Sequence, residues 1–181
     1  MKLVIMDRDG VINYDSDAYI KSPAEWVPIP GSLEAIARLH RAGFTVTVAT
    51  NQAGVARGLF NLAALDAIHR RMQTAVAQAG GKLTGIFYCP HGPEDGCDCR
   101  KPQPGLLKQI SEQLHVDLHR VPVIGDALRD IEAAQRVGAR PMLVLTGSGA
   151  KTLRDLHAAQ HVEIFADLAA AADQLVREAQ T

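Results

Sequence analysis

The sequence predicts a three-layer α/β sandwich built on a mainly parallel, Rossmann-like sheet. Short apolar runs rich in β-branched residues alternate along the chain with segments whose apolar residues recur at helical spacing. Strands separated by helices pair in parallel, and their crossover helices cover both faces of the sheet. Size sets the count: 181 residues, 47% of them hydrophobic, are enough for one core and short for two, so residues 1–181 are expected to form one domain.

The elements follow in order. Residues 2–6 (KLVIM) form a buried strand candidate, and residues 32–41 place Leu33, Ile36, Ala37 and Leu39 on one helical face, closed by Gly43. Residues 44–49 (FTVTVA) read as a strand. An alanine-rich helix over residues 62–79 ends at Gly80–Gly81, and a short strand over 85–88 follows. Residues 104–115 read as a helix with Pro104 in its first turn. A strand over 121–124, a helix over 128–137, a strand over 141–145, a helix near 152–159, a strand over 162–165 and a helix over 167–179 complete the pattern.

Composition excludes several classes. Nineteen basic against 20 acidic residues leave a net charge of −1, not the basic surplus of a phosphate-gripping nucleic-acid binder. The three cysteines lie within residues 89–99, too clustered for a disulfide framework, which points to a reducing compartment. The apolar run before Asp7 is too short for a signal peptide, and no run reaches membrane-spanning length. A soluble, cytoplasmic, monomeric protein is expected.

Ligands of such sheets bind at the carboxyl ends of the strands. There the first strand runs into Asp7–Arg8–Asp9–Gly10, the second into Thr50–Asn51–Gln52, the third into a Cys/His loop and Arg100–Lys101–Pro102, and the fourth into Gly125–Asp126 with Asp130 beyond. Paired carboxylates repel unless a cation offsets them. Asp7 through its side chain and Asp9 through its main-chain carbonyl can hold Mg²⁺, leaving the Asp9 carboxyl free for proton transfer, and Asp126 can complete the shell. Lys101 and Arg100 suit phosphate, a hydroxyl and amides at Thr50–Asn51 suit a phosphoryl oxygen, and Asp130 can orient Lys101. Cys89-x-His91 and Cys97-x-Cys99 supply four soft or borderline ligands, as tetrahedral Zn²⁺ requires; a closed Cys₃His set leaves no open position, so this zinc is expected to be structural. His40, His69, His115, His119, His157 and His161 fall on helices or loops and are expected to face solvent. Trp26 and Tyr19 are open between pocket wall and packing, and Gly147–Ser148–Gly149 reads as a flexible loop.

The order DRDG, TNQ, RKP, GDxxxD resembles the haloacid dehalogenase-like (HAD-like) phosphatases over nearly the whole chain. DRDGVIN, TNQAGVARG and CDCRKPQPG are similar to the branch that holds the D-glycero-D-manno-heptose 1,7-bisphosphate 7-phosphatases and the histidinol-phosphate phosphatases. The resemblance implies Asp7 as nucleophile through an aspartyl-phosphate, and Asp9 as proton donor and then base. It implies Mg²⁺ at Asp7, Asp9 and Asp126. Thr50, Asn51 and Lys101 would grip the phosphoryl group, Asp130 would steady Lys101, and Arg100 would meet the sugar or its second phosphate. No large insertion follows the first motif, so a minimal cap is expected, made by residues 15–21 (Asp15 and Tyr19 among them), Arg57 and the zinc loop, with Gln52 also near the substrate. A five-residue span between His91 and Cys97, and Ala127 after the metal aspartate, depart from relatives in ways that bear on substrate fit. Two substrates stay open, heptose bisphosphate and histidinol phosphate; the free-standing length favours the first. A nucleic-acid 3′-phosphatase and a non-catalytic zinc module fit less well.

Overall fold

The computed structural model describes residues 1–157 and 161–181. Six strands, β1 (Lys2–Met6), β2 (Phe44–Asn51), β3 (Gly85–Cys89), β4 (Pro122–Gly125), β5 (Arg140–Val144) and β6 (Glu163–Phe165), form one parallel sheet in the order β3-β2-β1-β4-β5-β6. Among the described residues, six α-helices alternate with them: α1 (Ser32–Arg41), α2 (Leu62–Gln78), α3 (Gly105–Leu114), α4 (Leu128–Arg136), α5 (Gly149–Asp155) and α6 (Leu168–Gln180).

The side-chain period of a strand splits the core in two. Val4, Met6, Val46, Val48 and Ile124 pack with α1, α2 and α6 on one face. Leu3, Ile5, Ala49 and Val123 pack with α3 and α4 on the other. Asn61 caps α2 by accepting from the Ala64 amide, and Asp167 caps α6 through Ala170. Arg140 ties β5 to β6 and α6 through Glu163 and Glu178.

The expected strands and helices are all present, with ends shifted by a residue or two, except at one place. The helix expected near 152–159 starts earlier, at Gly149, and ends at Asp155; positions 158–159 of that expectation lie outside the described residues. The physical reason is Asp126. It draws Ser148 onto its carboxylate, and Gly149 then packs so tightly on the Val144 carbonyl that no side chain fits. The glycine-serine-glycine stretch is therefore a buttress of the site, not a flexible loop. A 3₁₀ turn over Pro23–Glu25 was not legible. Trp26 beside it packs into the core at 1% exposure and does not line the cavity of the site.

The order in which successive strands are added reverses between β1 and β4, which lie side by side and parallel at the centre of the sheet. Such a switch point leaves a crevice at the carboxyl ends of the two strands. Asp7 and Asp126 are the first residues past those ends.

Candidate active site

The crevice opens into a cavity of about 270 Å³ lined by Asp7, Asp9, Thr50, Gln52 and Arg100, with Asp15, Tyr19 and Arg129 at its wall. Each floor group is placed by the residue order at a strand end. The Asp7 amide donates to the Ile124 carbonyl at 2.9 Å, which carries the β1–β4 ladder one step past the strand. Its Oδ1 accepts from the Arg8 amide at 2.8 Å and lies 3.2 Å from Lys101 Nζ. Its Oδ2 has no hydrogen bond among the described residues, so the oxygen left over is available to a ligand.

Lys101 is buried at 2% exposure. Its ammonium donates to Asp130 Oδ1 at 2.6 Å and to the Ala49 carbonyl at 2.7 Å. The other Asp130 oxygen accepts from the Ala127 amide at 3.0 Å, so Asp130 is fully committed to holding the lysine and the start of α4. Burial alone would lower the lysine's pKa, but Asp130 and Asp7 outweigh it and keep the ammonium charged.

Asn51 differs from the expectation. Its side-chain amide donates to the Lys101 carbonyl and accepts from the Lys101 amide, both at 3.0 Å. Asn51 lines the cavity, but both polar atoms of its side chain are spent on clamping the lysine's backbone. Thr50 and Gln52 also have a structural duty: Gln52 Nε2 donates at 3.0 Å to both Thr50 Oγ1 and Asp9 Oδ2. Arg57 stands over the Tyr19 ring at 5.7 Å and is not among the residues that line the cavity. Tyr19 holds a left-handed φ of 65°, a strained conformation for a bulky residue.

Asp7, Asp126 and Asp130 offer carboxylate oxygens that all lie within 4.8 Å of one another. Asp126 Oδ2 accepts from the Ser148 amide at 2.8 Å, while Oδ1 is buried without any partner. Gly10 and Gly147, both at positive φ, make room for this carboxylate, and a Cβ on either would strike it. Burial first, then Asp7 and Asp130, push the Asp126 pKa up to about 8. Burial, then Asp130, push Asp7 up to about 6. Two oxygens without partners, a carboxylate pair that resists ionising together, and an Asp9 carbonyl that accepts no hydrogen bond among the described residues fit a hard divalent cation such as Mg²⁺. Asp130, with both oxygens spent, does not belong to that set.

Cys89 at the end of β3 gathers the second cluster. Its Sγ lies 3.4 Å from His91 Nδ1, 3.6 Å from Cys97 Sγ and 3.1 Å from Cys99 Sγ, and His91 Nδ1 lies 3.3 Å from Cys99 Sγ. Three sulfurs and one imidazole nitrogen within 4.8 Å fit tetrahedral zinc and leave no vacancy for substrate. Cys99 leads directly into Arg100 and Lys101, so the cluster fixes where those cations stand.

Four residues of the site were not found in the sequence. Arg8, between the two aspartates, is fully buried and forks onto Asp9 at 2.8 and 3.0 Å. Asn13 donates to Asp9 at 2.9 Å. Arg129 lines the cavity, where its charge eases the repulsion among the carboxylates. His69, expected in solvent, is buried at 6% exposure, 3.1 Å from Arg8. Its position four residues after Leu65, on the stripe of Ile68, Met72 and Val76, was the signal that could have found it. Burial pulls the Asp9 pKa up, but the charge and hydrogen bonds of Arg8, with those of Asn13 and Gln52, outweigh it and hold Asp9 below the usual range.

A HAD-hydrolase-like family model matches residues 98–171. A D-glycero-β-D-manno-heptose-1,7-bisphosphate 7-phosphatase of Bordetella bronchiseptica is 56% identical over 99% of this chain and 100% of its own length. The enzyme of that name from Pseudomonas putida is 57% identical over 97% of this chain and 100% of its own. Among solved structures, the D,D-heptose 1,7-bisphosphate phosphatase of B. bronchiseptica, complexed with magnesium and phosphate, superposes with a TM-score of 0.96 at 56% identity, covering 98% of this chain and 99% of that one.

Proposed function

From a chain that belongs to the D-glycero-β-D-manno-heptose-1,7-bisphosphate 7-phosphatase family of HAD-like hydrolases, we infer a phosphatase that removes the 7-phosphate of that sugar bisphosphate. The observation that carries the chemistry is the meeting of Asp7, Lys101 and Asp126 at one switch-point crevice, with an oxygen of Asp7 left free. One oxygen of the Asp7 carboxylate attacks phosphorus, the bond to the sugar oxygen breaks and an aspartyl-phosphate forms, with the other Asp7 oxygen left for the cation. Lys101 and Thr50 meet the phosphoryl oxygens as charge spreads over them, and Asn51 and Asp130 hold Lys101 for that task. Bound Mg²⁺, held by the Asp7 and Asp126 side chains and the Asp9 carbonyl, supplies charge neutralisation at the same oxygens. Asp9 hands a proton to the departing oxygen and then takes one from the water that hydrolyses the acyl phosphate. At rest Asp9 is a carboxylate with four donors, the form that the second half requires. The proton for the first half arrives with a substrate bound as its monoanion, since a phosphomonoester's second pKa is about 6. Arg100 and Arg129 at the cavity wall suit the second phosphate.

We further take the chain to act as a single-domain cytoplasmic monomer that supplies heptose for nucleotide-activated precursors of lipopolysaccharide or related glycans. All the groups named come from one chain, and none of its helices among the described residues is long and apolar enough to cross a membrane. The test compares phosphate release, with Mg²⁺, from D-glycero-β-D-manno-heptose 1,7-bisphosphate and from histidinol phosphate. A preference for the heptose of about 100-fold or more in kcat/KM is expected, because a site built for a second phosphate is left unpaired by a substrate without one. The reverse preference would assign the chain to the other substrate with the same catalytic groups.

Zinc acts as a brace in this reading. Cys99→Ser should drop bound zinc from about one per chain to near none, lower the melting temperature, and reduce kcat/KM roughly tenfold through loss of the Arg100–Lys101 position. Elemental analysis beside a thermal melt checks it, and full activity in protein freed of zinc would remove the brace.

A further inference from the structure

Arg8 stands between Asp7 and Asp9, yet no atom of its side chain reaches solvent. Nε and Nη2 donate to the two Asp9 oxygens, and Nη1 meets His69 Nε2 at 3.1 Å. A guanidinium has donors only. The imidazole nitrogen is therefore the acceptor, and His69 is neutral with its proton on Nδ1. Burial, then the Arg8 charge, keep it so, holding its pKa down to about 3. Nη1 has no other partner among the described residues, and leaving it with none in the interior costs folding free energy, which is what the acceptor behind Arg8 offsets. His69 offers it from α2, against the Tyr88 ring at 5.9 Å.

We propose that His69 is a positioning residue for the phosphatase reaction: it anchors the Arg8 guanidinium from behind and so fixes the direction in which Asp9 faces the cavity. The proposal rests on the proton-transfer role of Asp9 given above. Asn13 and Gln52 each hold one Asp9 oxygen, and the Arg8 fork adds a second donor to each. Without His69, Nη1 is left as a buried donor facing no acceptor, and the guanidinium must shift to find one, which draws the fork off Asp9. Proton transfer needs heavy atoms within about 2.6–3.2 Å, and a misplacement of about 1 Å can cost about 100-fold.

His69→Leu removes the acceptor at similar bulk. Its kcat is expected to fall about 10- to 100-fold with KM within about twofold, because Lys101 and Arg100 still bind the substrate. His69→Gln returns an acceptor at comparable reach and is expected to recover kcat to within about threefold of the unmutated enzyme, by the same positioning argument. A residue with a merely structural duty would shift the melting temperature and leave kcat per folded molecule unchanged, or leave the Leu and Gln variants equally slow; either result overturns the proposal. If His69→Leu does not fold, nitrogen NMR of the ¹⁵N-histidine-labelled native chain decides, with the His69 signal assigned in the Gln variant. An unprotonated Nε2 near neutral pH is expected, and a proton on Nε2 overturns the proposal. Failure of the native enzyme to release phosphate from either the heptose bisphosphate or an aryl phosphate would sink the functional reading instead, and the NMR result is independent of it.

Discussion

Asp7→Asn is expected to abolish phosphate release, by about 10⁴-fold or more, the scale on which loss of a nucleophile acts. The amide cannot attack phosphorus, and the partnerless oxygen of Asp126 is the one assigned to the cation. Both Asp9 oxygens accept from Arg8 and from Asn13 or Gln52, and the two Asp130 oxygens accept from Lys101 and the Ala127 amide. The same substitution is expected to stabilise the metal-free protein. Burial, then the charge of Asp130, raise the Asp7 pKa from 3.8 to about 6 in the fold. An acid with a raised folded pKa contributes stability at low pH and loses it as pH rises through the folded value. At neutral pH the ionised Asp7 therefore costs roughly 1–3 kcal/mol, which the neutral amide does not. The variant's advantage should be near zero at about pH 4 and full by about pH 7, as the same linkage requires. Melts in a chelator across that range, beside trapping of the acid-stable phosphoenzyme from labelled substrate, check both halves. Turnover surviving in Asp7→Asn would remove Asp7 as nucleophile.

Much of this molecule can be read in its sequence because the informative groups are local. A strand buried on both faces is a short apolar run, and a crossover helix is a periodic one, so the parallel sheet follows from their alternation. Asp7, Thr50, Lys101 and Asp126 can be found because the end of a strand is a single place in the chain, and the topology then brings those places together. Cys89, His91, Cys97 and Cys99 can be found because chelation works over a few residues. What could not be read is direction. Asn51 and Gln52 are neighbours at one strand end, yet one amide turns to the backbone of Lys101 and the other to Asp9. Arg8 and His69 are 61 positions apart, and only the packing of α2 against the sheet joins them. Arg57, which looked like a cap over the substrate, rests on Tyr19 instead. The early start of α5 has the same cause, for it is set by a contact with Asp126 and not by local propensity.

Lys101→Met separates what the lysine does for the fold from what it does for the substrate. The ammonium is the one cation in direct contact with both Asp7 and Asp130 among the described residues. Removing it leaves Asp130, at 1% exposure, as a buried carboxylate without its counter-charge. Breaking such a pair from one side is expected to cost about 3–5 kcal/mol of stability. The loss of a fixed charge at the transferring phosphoryl group is expected to lower kcat/KM by about 10³-fold. The two effects should part company in the double variant Lys101→Met/Asp130→Asn. The neutral amide introduced at position 130 can still accept from the Ala127 amide and needs no cation, so most of the lost stability returns. The rate does not, because the phosphoryl oxygens still lack their ammonium. Denaturant unfolding and kinetics on the same preparations read the two separately. A double variant that regains activity along with stability would reduce Lys101 to an ion-pair partner of Asp130 and move the phosphoryl contact to Arg100 or Arg129, which line the cavity.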